Sequence, residues 1–275
     1  MPPESRPRLT VVGSVNLDLV AGCERLPRPG ETVTGATFAR HPGGKGANQA
    51  VAAAQLGAHV TFVGSIGDDN FAEQALEGIH VAGVQATLRR GGATGVALIL
   101  VDESGENQIV VAPGANSELG EVQVAGAVLC QLEIPLEAVA SAAAGAGRFF
   151  LNAAPARPIS AALVRAAELV VVNSYELEAL PETPRLTALT LGEEGAVLLE
   201  GGSEVARAQA PRVRAVDGTA AGDAFTACLV VSRLEERDVE EALRRACAAG
   251  AITASRPGAQ PSLPTADEVD AILTA

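Results

Sequence analysis

Short apolar runs alternate with helix-patterned stretches along most of this chain. That alternation restricts the fold more than any single motif does. Residues 9–14 (LTVVGS), 60–65 (VTFVGS), 126–131, 148–152, 169–173, 188–192 and 196–200 read as buried strands. Residues 45–56, 70–80, 223–234, 239–255 and 266–273 carry helical periodicity, and Gly57 supplies a stop signal after the first of them. Strand and helix in turn predict an α/β fold with a mostly parallel sheet. Aromatic residues make up 3% of the 275 positions and Trp is absent, so the core must be built from Ala, Val and Leu. Small side chains of this kind let helices lie close on a parallel sheet.

Two segments break the pattern. Residues 15–22 and 32–39, with Pro27, Pro29 and Gly30 between them, are more polar and alternate, as strands of a half-exposed antiparallel sheet do. Residues 96–101 and 108–111 flank Asp102-Glu103-Ser104-Gly105-Glu106, a hairpin-like turn. Together they predict a small second sheet folded over one edge of the first.

The net charge of −13 argues against nucleic acid or an anionic membrane as a partner. Cys23, Cys130, Cys228 and Cys247 are scattered, with no CxxC pair, so neither a zinc site nor a disulfide framework is expected. Residues 1–8 lack a signal-peptide apolar region, and no apolar run reaches transmembrane length. A soluble, cytoplasmic protein is expected.

Asp217-Gly218-Thr219-Ala220-Ala221-Gly222-Asp223 opens the helix at 223–234 with a run of small residues. Exposed N–H groups at a helix N-terminus form an anion site, and small side chains let a phosphate approach. Asp223 beside such a site makes sense if it accepts a proton from a hydroxyl attacking a phosphoryl group. An N-capped helix after a tight turn reads the same residues equally well.

Pro42-Gly43-Gly44-Lys45-Gly46-Ala47-Asn48 is the second strong element, with donors at Lys45 and Asn48 on the first helical turn. It is not a P-loop, and no GxGxxG follows the first strand, which weakens a dinucleotide-dehydrogenase reading. Asn16 and Asp18 share one face of a strand and could hold two adjacent hydroxyls of a polyol. Glu133 stands at the C-terminal end of a buried run, where ligands of open α/β sheets bind.

Asn173 and Glu176 read either as a capping box or as a pair sharing a hydrated Mg²⁺. The segment holding Thr190, Gly192 and Gly195 suits a nucleotide against backbone, or a plain hairpin turn. Residues 255–262 are a Pro/Gly loop whose carbonyls, with Ser262 and Asp217, could ring a monovalent cation; an ordinary loop is the competing reading.

Taken in order, VVGSVNLDLV, LPRPGETVTG, GGKGANQAVAAAQLGA, VGSIGDD, QLEIPLE, NAAPA, VNSYE, TLGEEGA, DGTAAGDAF and GAQPSLP resemble the PfkB, or ribokinase-like, family of carbohydrate kinases over almost the whole chain. The resemblance implies a three-layer α/β sandwich with a mostly parallel central sheet and a small β-sheet lid. The core would comprise residues 1–14, 41–94 and 113–275, and the lid 15–40 and 95–112. It implies ATP-dependent phosphorylation of D-ribose at O5. Asp223 would be the base, and the backbone of Ala220, Ala221 and Gly222 the anion hole.

The resemblance further gives Asn16, Asp18, Gly44, Lys45, Asn48 and Glu133, with Asp223, as sugar contacts. Asn173, Thr190, Gly192, Gly195, Gly222 and Cys247 fall on the nucleotide side, and Glu176 on Mg²⁺ through water. Asp217, Thr219, Thr253, Arg256, Gly258 and Ser262 match a K⁺ site, some through backbone oxygens. A homodimer through the lid is implied. Another kinase of the family, acting on 2-deoxyribose, a different sugar or a nucleoside, and a sugar-binding protein without turnover are the rival readings.

The chain departs from the family pattern at Gly218, Thr226, Cys228 and Cys247. It is also shorter between Asn173 and Ala188, where relatives carry an additional helix. Residues 174–187 just suffice for a parallel crossover. The expectation is a nucleotide side one helix short, with the sheet intact.

Overall fold

Val11 and Val12 are both fully buried, although successive strand residues point to opposite faces. A strand covered on both sides belongs inside a sheet with helices on each face. The computed structural model, which describes residues 6–103 and 106–274, places β1 (Arg8–Val12) in that position. The readings made at residues 1–5 and at Ser104 and Gly105 lie outside the described residues.

The chain continues through β2 (Asn16–Cys23), β3 (Thr37–Gly43), α1 (Lys45–Gln55), β4 (His59–Ile66), α2 (Ala72–Ala75), α3 (Glu77–Val81) and β5 (Gln85–Arg90). Next come β6 (Gly95–Asp102), β7 (Asn107–Ala112), β8 (Ala127–Cys130), α4 (Leu136–Gly145), β9 (Arg148–Asn152), α5 (Ala161–Ala166) and β10 (Leu169–Asn173). The last part holds α6 (Ser174–Glu178), β11 (Leu186–Thr190), β12 (Ala196–Glu200), β13 (Ser203–Ala208), α7 (Ala221–Leu234), α8 (Val239–Ala254) and α9 (Ala266–Thr274).

The large sheet has the order β13-β12-β11-β10-β9-β8-β1-β4-β5. Neighbours from β5 across to β11 pair parallel, and β12 and β13 close that end antiparallel. Val11, Leu129, Phe150 and Val171 belong to one core cluster with residues of α1, α7 and α8. Val12, Cys130, Leu151 and Val170 belong to a second cluster, with α4 and α5. The period of two thus divides each strand between two helical layers, giving a three-layer α/β fold. Among the described residues no helix is long and apolar enough to cross a membrane.

The small sheet has the order β3-β2-β6-β7. It is mixed rather than antiparallel: β2 pairs antiparallel with β3 but parallel with β6. The chain between β2 and β6 runs through a whole section of the large sheet, and a crossover of that length permits parallel pairing. The strand expected at 32–39 lies later, at β3. Residues 32–36 are irregular, after a turn in which Glu31 N–H donates to the Arg28 carbonyl at 2.9 Å. Pro42 is tolerated in β3 because this is an edge strand.

The helix expected over 70–80 is divided at Leu76 into α2 and α3. Two strands, β5 and β13, escape the sequence pattern; both are edges of the large sheet and mostly exposed, so their side chains carry little apolar alternation. Between β10 and β11 there is one helix, α6, and the two strands pair parallel.

Candidate active site

The turn before α7 is fixed by Asp217. Its Oδ1 accepts from Thr219 N–H at 2.9 Å and from the Thr219 hydroxyl at 2.6 Å, and its Oδ2 accepts from Gly258 N–H at 2.9 Å. These hydrogen bonds hold its carboxyl below the usual range despite partial burial. Ala220 then takes a left-handed conformation, φ 61°, and α7 begins at Ala221 with no side-chain cap. An uncapped N-terminus of a 14-residue helix leaves N–H groups for an anion. Gly218, Ala221 and Gly222 line a cavity of about 780 Å³ at this end.

Asp223 lies in the first turn of α7, 5% exposed. Its Oδ2 accepts from Asn48 Nδ2 at 3.0 Å and its Oδ1 from Gln49 Nε2 at 2.8 Å. Burial pushes its carboxyl above the usual range. The Lys45 charge and the two amide donors oppose that shift, and Glu133 adds to it.

Asn48 and Gln49 reach Asp223 because α1 starts in close contact with the end of β1. A Cβ on Gly46 would stand 2.5 Å from Ser14 N and 2.6 Å from Gly13 C, so only glycine allows the approach. Gly44, at φ 88°, turns the chain from β3 into this helix. Gly46→Ala is expected to cost about 1–3 kcal/mol of stability, the usual range for overpacking, measured by urea unfolding.

Glu133 joins the two elements further. Its Oε2 accepts from the Ser14 hydroxyl at 2.6 Å and from Lys45 N–H at 3.0 Å. Burial works against the Lys45 ammonium, yet Asp223, Glu133 and Glu176 together hold it above its usual range.

The small sheet contributes Asn16 and Asp18, both buried on β2. Asp18 is pushed up to about 7, first by burial, then by the charges of Glu133 and Asp223. Asn116 clamps the base of this strand: Val15 N–H donates to its Oδ1 at 2.9 Å. Its Nδ2 donates to the Val15 carbonyl at 3.0 Å and to Asn16 Oδ1 at 2.8 Å.

On the opposite side, Thr190, Gly192, Gly195, Gly222 and Cys247 all line the larger cavity, with Arg212 and Phe225. Burial pushes the Cys247 thiol up to about 12. A Cβ at Gly218 would meet open space, so the small residue there is not enforced by packing. Asn173 and Thr190 line a neighbouring pocket of about 420 Å³ with the exposed Tyr175.

Asn173 and Glu176 form a complete capping box: Asn173 Oδ1 accepts from Glu176 N–H at 2.8 Å, and Glu176 Oε2 from Asn173 N–H at 2.9 Å. Burial raises the Glu176 carboxyl; the hydrogen bond and Lys45 oppose this, and Asp223 adds to it.

Of the residues expected around a monovalent cation, Asp217, Thr219 and Gly258 are joined by the hydrogen bonds above, and Asp217 meets the end of α8 beside Thr253. Asp217 N–H donates to the Ala254 carbonyl at 3.1 Å, and Arg256 N–H to the Thr253 carbonyl at 3.1 Å. The Ser262 hydroxyl donates to the Ala259 carbonyl at 2.6 Å, and the Arg256 side chain is engaged by Glu268. Among the described residues no group of three or more His, Cys, Asp or Glu is placed to hold a metal ion.

A family model described as pfkB family carbohydrate kinase matches residues 6–266. The chain belongs to that family. This pfkB kinase is 38% identical to the ribokinase of Haemophilus influenzae over 96% of its own length and 97% of the relative's. It is 32% identical to the deoxyribokinase of Salmonella typhi over 97% and 98%. The solved structure of Arabidopsis thaliana ribokinase complexed with ribose and ATP superposes with a TM-score of 0.86 at 30% identity, over 98% of this chain and 99% of that one. The pfkB kinase is therefore an enzyme that phosphorylates a sugar, on the mixed α/β architecture of solved ribokinases.

Several polar residues next to the expected ones were not singled out from the sequence of this kinase, although they lie in or beside its motifs. Ser14, Gln49, Asn116, Gln131, Asn152 and Gln260 are buried polar residues around the expected ones. Gln260 Nε2 donates to Asn48 Oδ1 at 3.2 Å. Two of them carry a readable pattern: Gln131 follows β8 and Asn152 ends β9, each an amide at the C-terminal end of an apolar parallel strand.

Proposed function

We propose that the chain transfers the γ-phosphoryl group of ATP to O5 of D-ribose, giving ribose 5-phosphate and ADP. The observation that carries this reading is the position of Asp223. It is a buried carboxylate at the uncapped N-terminus of α7, between the cavity and the polar residues of α1 and β2. Ribose would be held by Asn16, Asp18, Gly44, Lys45, Asn48 and Glu133. Buried polar groups that pair with hydroxyls reject analogues lacking one. Asp223 accepts the O5 proton as O5 attacks phosphorus in line, and the β–γ bridging oxygen leaves with ADP. The N–H groups around Ala220, Ala221 and Gly222 receive the charge on the transferring group. The small sheet acts as a lid that excludes water.

Two cations fit the residues present. Mg²⁺ would be held through water by Glu176, whose second carboxylate oxygen is not used by the capping box and whose charge faces Asp223 and Lys45. Mg²⁺ supplies neutralisation of phosphate charge when bound. The Thr253 hydroxyl is buried without a hydrogen-bond partner close to the Asp217 loop, which suits a K⁺ held with Asp217, Thr219, Arg256, Gly258 and Ser262, some of them through backbone oxygens. The lid exposes Phe38, Leu98, Ile109 and Val110, and a second copy covering that apolar surface is the homodimer reading.

The deoxyribokinase relative favours one alternative, 2-deoxyribose as the sugar. ADP release from Mg-ATP with ribose, 2-deoxyribose, fructose and adenosine, with and without K⁺, separates the readings. Ribose-dependent turnover stimulated by K⁺ is expected. Higher kcat/KM with 2-deoxyribose would replace the substrate assignment, and folded protein inert with every acceptor would overturn the kinase assignment in favour of sugar binding alone.

A further inference from the structure

Behind Asp223, four parts of the chain meet in a line of buried amides. Asn152 Nδ2 donates to the Val171 carbonyl at 3.1 Å, and Asn152 Oδ1 accepts from Gln49 Nε2 at 3.0 Å. The same Nε2 donates to Asp223 Oδ1 at 2.8 Å, while Gln49 Oε1 accepts from Gln131 Nε2 at 2.6 Å. The line has a direction. A backbone carbonyl only accepts, so Asn152 must offer its NH₂ to Val171 and its oxygen to Gln49. Gln49 must then present its own NH₂, and Gln131 fixes the other end of that amide by donating to its oxygen. Gln49 and Gln131 are 0% exposed, so neither can touch a sugar or a nucleotide.

We propose that Gln49 is the positioning residue of the base: it anchors Asp223 Oδ1, leaving Oδ2 as the oxygen that takes the substrate proton. This rests on the reading of Asp223 as base. A proton on Oδ1 would set an O–H donor against the Gln49 N–H, and the amide line leaves Gln49 no way to turn. Oδ2 is bonded to Asn48, whose oxygen accepts, among the described residues, only from Gln260 at 3.2 Å. Gln260 Oε1 has no partner among them, so these two amides can reverse together and Asn48 can offer its oxygen to a proton on Oδ2. The donor on Oδ1 also favours the ionised carboxylate over the protonated one. The charged groups facing Asp223 are Lys45 from α1, Glu133 beyond β8, Asp18 from β2 and Glu176 from α6. None of them belongs to the amide line, so a substitution within it leaves them in place.

The test compares Gln49→Met with Gln131→Met. Both remove a fully buried amide from the same network at similar volume, but only Gln49 touches Asp223. For Gln49→Met, kcat is expected to fall ~10²-fold, as when a preorganising contact to the reacting group is lost, with KM for the sugar within about threefold. The acid limb of the kcat–pH profile should move up by about one pH unit, because the carboxylate has lost a donor. Gln131→Met should keep kcat within about fivefold and leave the acid limb in place.

If Gln49→Met does not fold, Gln49→Glu serves. A second carboxyl against Oδ1 should drive the acid limb further upward. A wild-type acid limb in the variant that folds, or equal losses of kcat in the Gln49 and Gln131 variants with no movement of the limb, would overturn the proposal. Asp223→Asn is the control for the underlying reading: if that variant turns over normally, the assignment of the base fails, whatever Gln49 does.

Discussion

Asp223→Asn is expected to lower kcat by ~10²–10⁴-fold, the range general-base catalysis contributes, while KM for ribose stays within a few-fold. Asparagine matches the shape of the side chain but cannot accept a proton at neutral pH. It also disturbs the two bonds that hold the group. Asp223 accepts from Asn48 at one oxygen and from Gln49 at the other, whereas an asparagine offers one oxygen and one NH₂. One of the two donors then faces another donor, which costs about 1–3 kcal/mol. Relief of a buried charge works in the opposite direction, so the change in stability should be small beside the change in rate. Sugar-dependent ADP release and urea unfolding on the same preparation read both. Turnover within tenfold of the wild type would remove Asp223 from the role of base.

Asp18→Asn should separate stability from function more sharply. In the folded protein Asp18 titrates at about 7 instead of 3.8. Between those values the native state keeps a proton that the unfolded chain has released, so this group makes stability fall as pH rises through that window. Below pH 4 both states are protonated and the cost is absent; above pH 7 it is complete, at most about 4 kcal/mol. The asparagine variant should therefore match the wild type near pH 4 and be the more stable protein at pH 8. At pH 8, where the wild-type carboxyl is ionised, the variant's KM for ribose should rise ~10²-fold, because a charged acceptor for hydroxyls is lost. Equal melting temperatures for the two proteins at pH 8 would mean that Asp18 is not held up by its surroundings.

The legible parts of this chain were those where periodicity and burial coincide. Val11 and Val12, Phe149 and Phe150, and Val170 to Val172 are covered on both faces and read as strands from their apolar runs alone. β5 and β13 were not legible, because edge strands need no apolar face: QATLRR and SEVARA look like surface. The same limit applied to the site. Asp223, Asn48 and Lys45 stand among glycines and alanines and draw attention, whereas Gln49 is one amide in an Ala-rich helix. Its importance lies in what faces it, and Gln131, Asn152 and Asp223 arrive from three distant parts of the sequence. The capping box at Asn173 was foreseen as one of two readings. It is formed, and because Glu176 has a second carboxylate oxygen, it does not exclude the other.

Asn48 and Gln49 meet Asp223 across 175 and 174 residues of chain, and Gln260 lies 212 residues from Asn48. Synthesis runs in one direction, so α1 leaves the ribosome long before α7 exists. Through that interval the amides of α1 lie among alanines destined for the core, without the carboxylate that pairs with them. The half-made protein thus carries its polar centre as a liability, open to water or to a chaperone, until the segment from 217 to 260 emerges and closes over it. Truncations that spare every strand of the large sheet but remove α7 should be the ones the cell degrades.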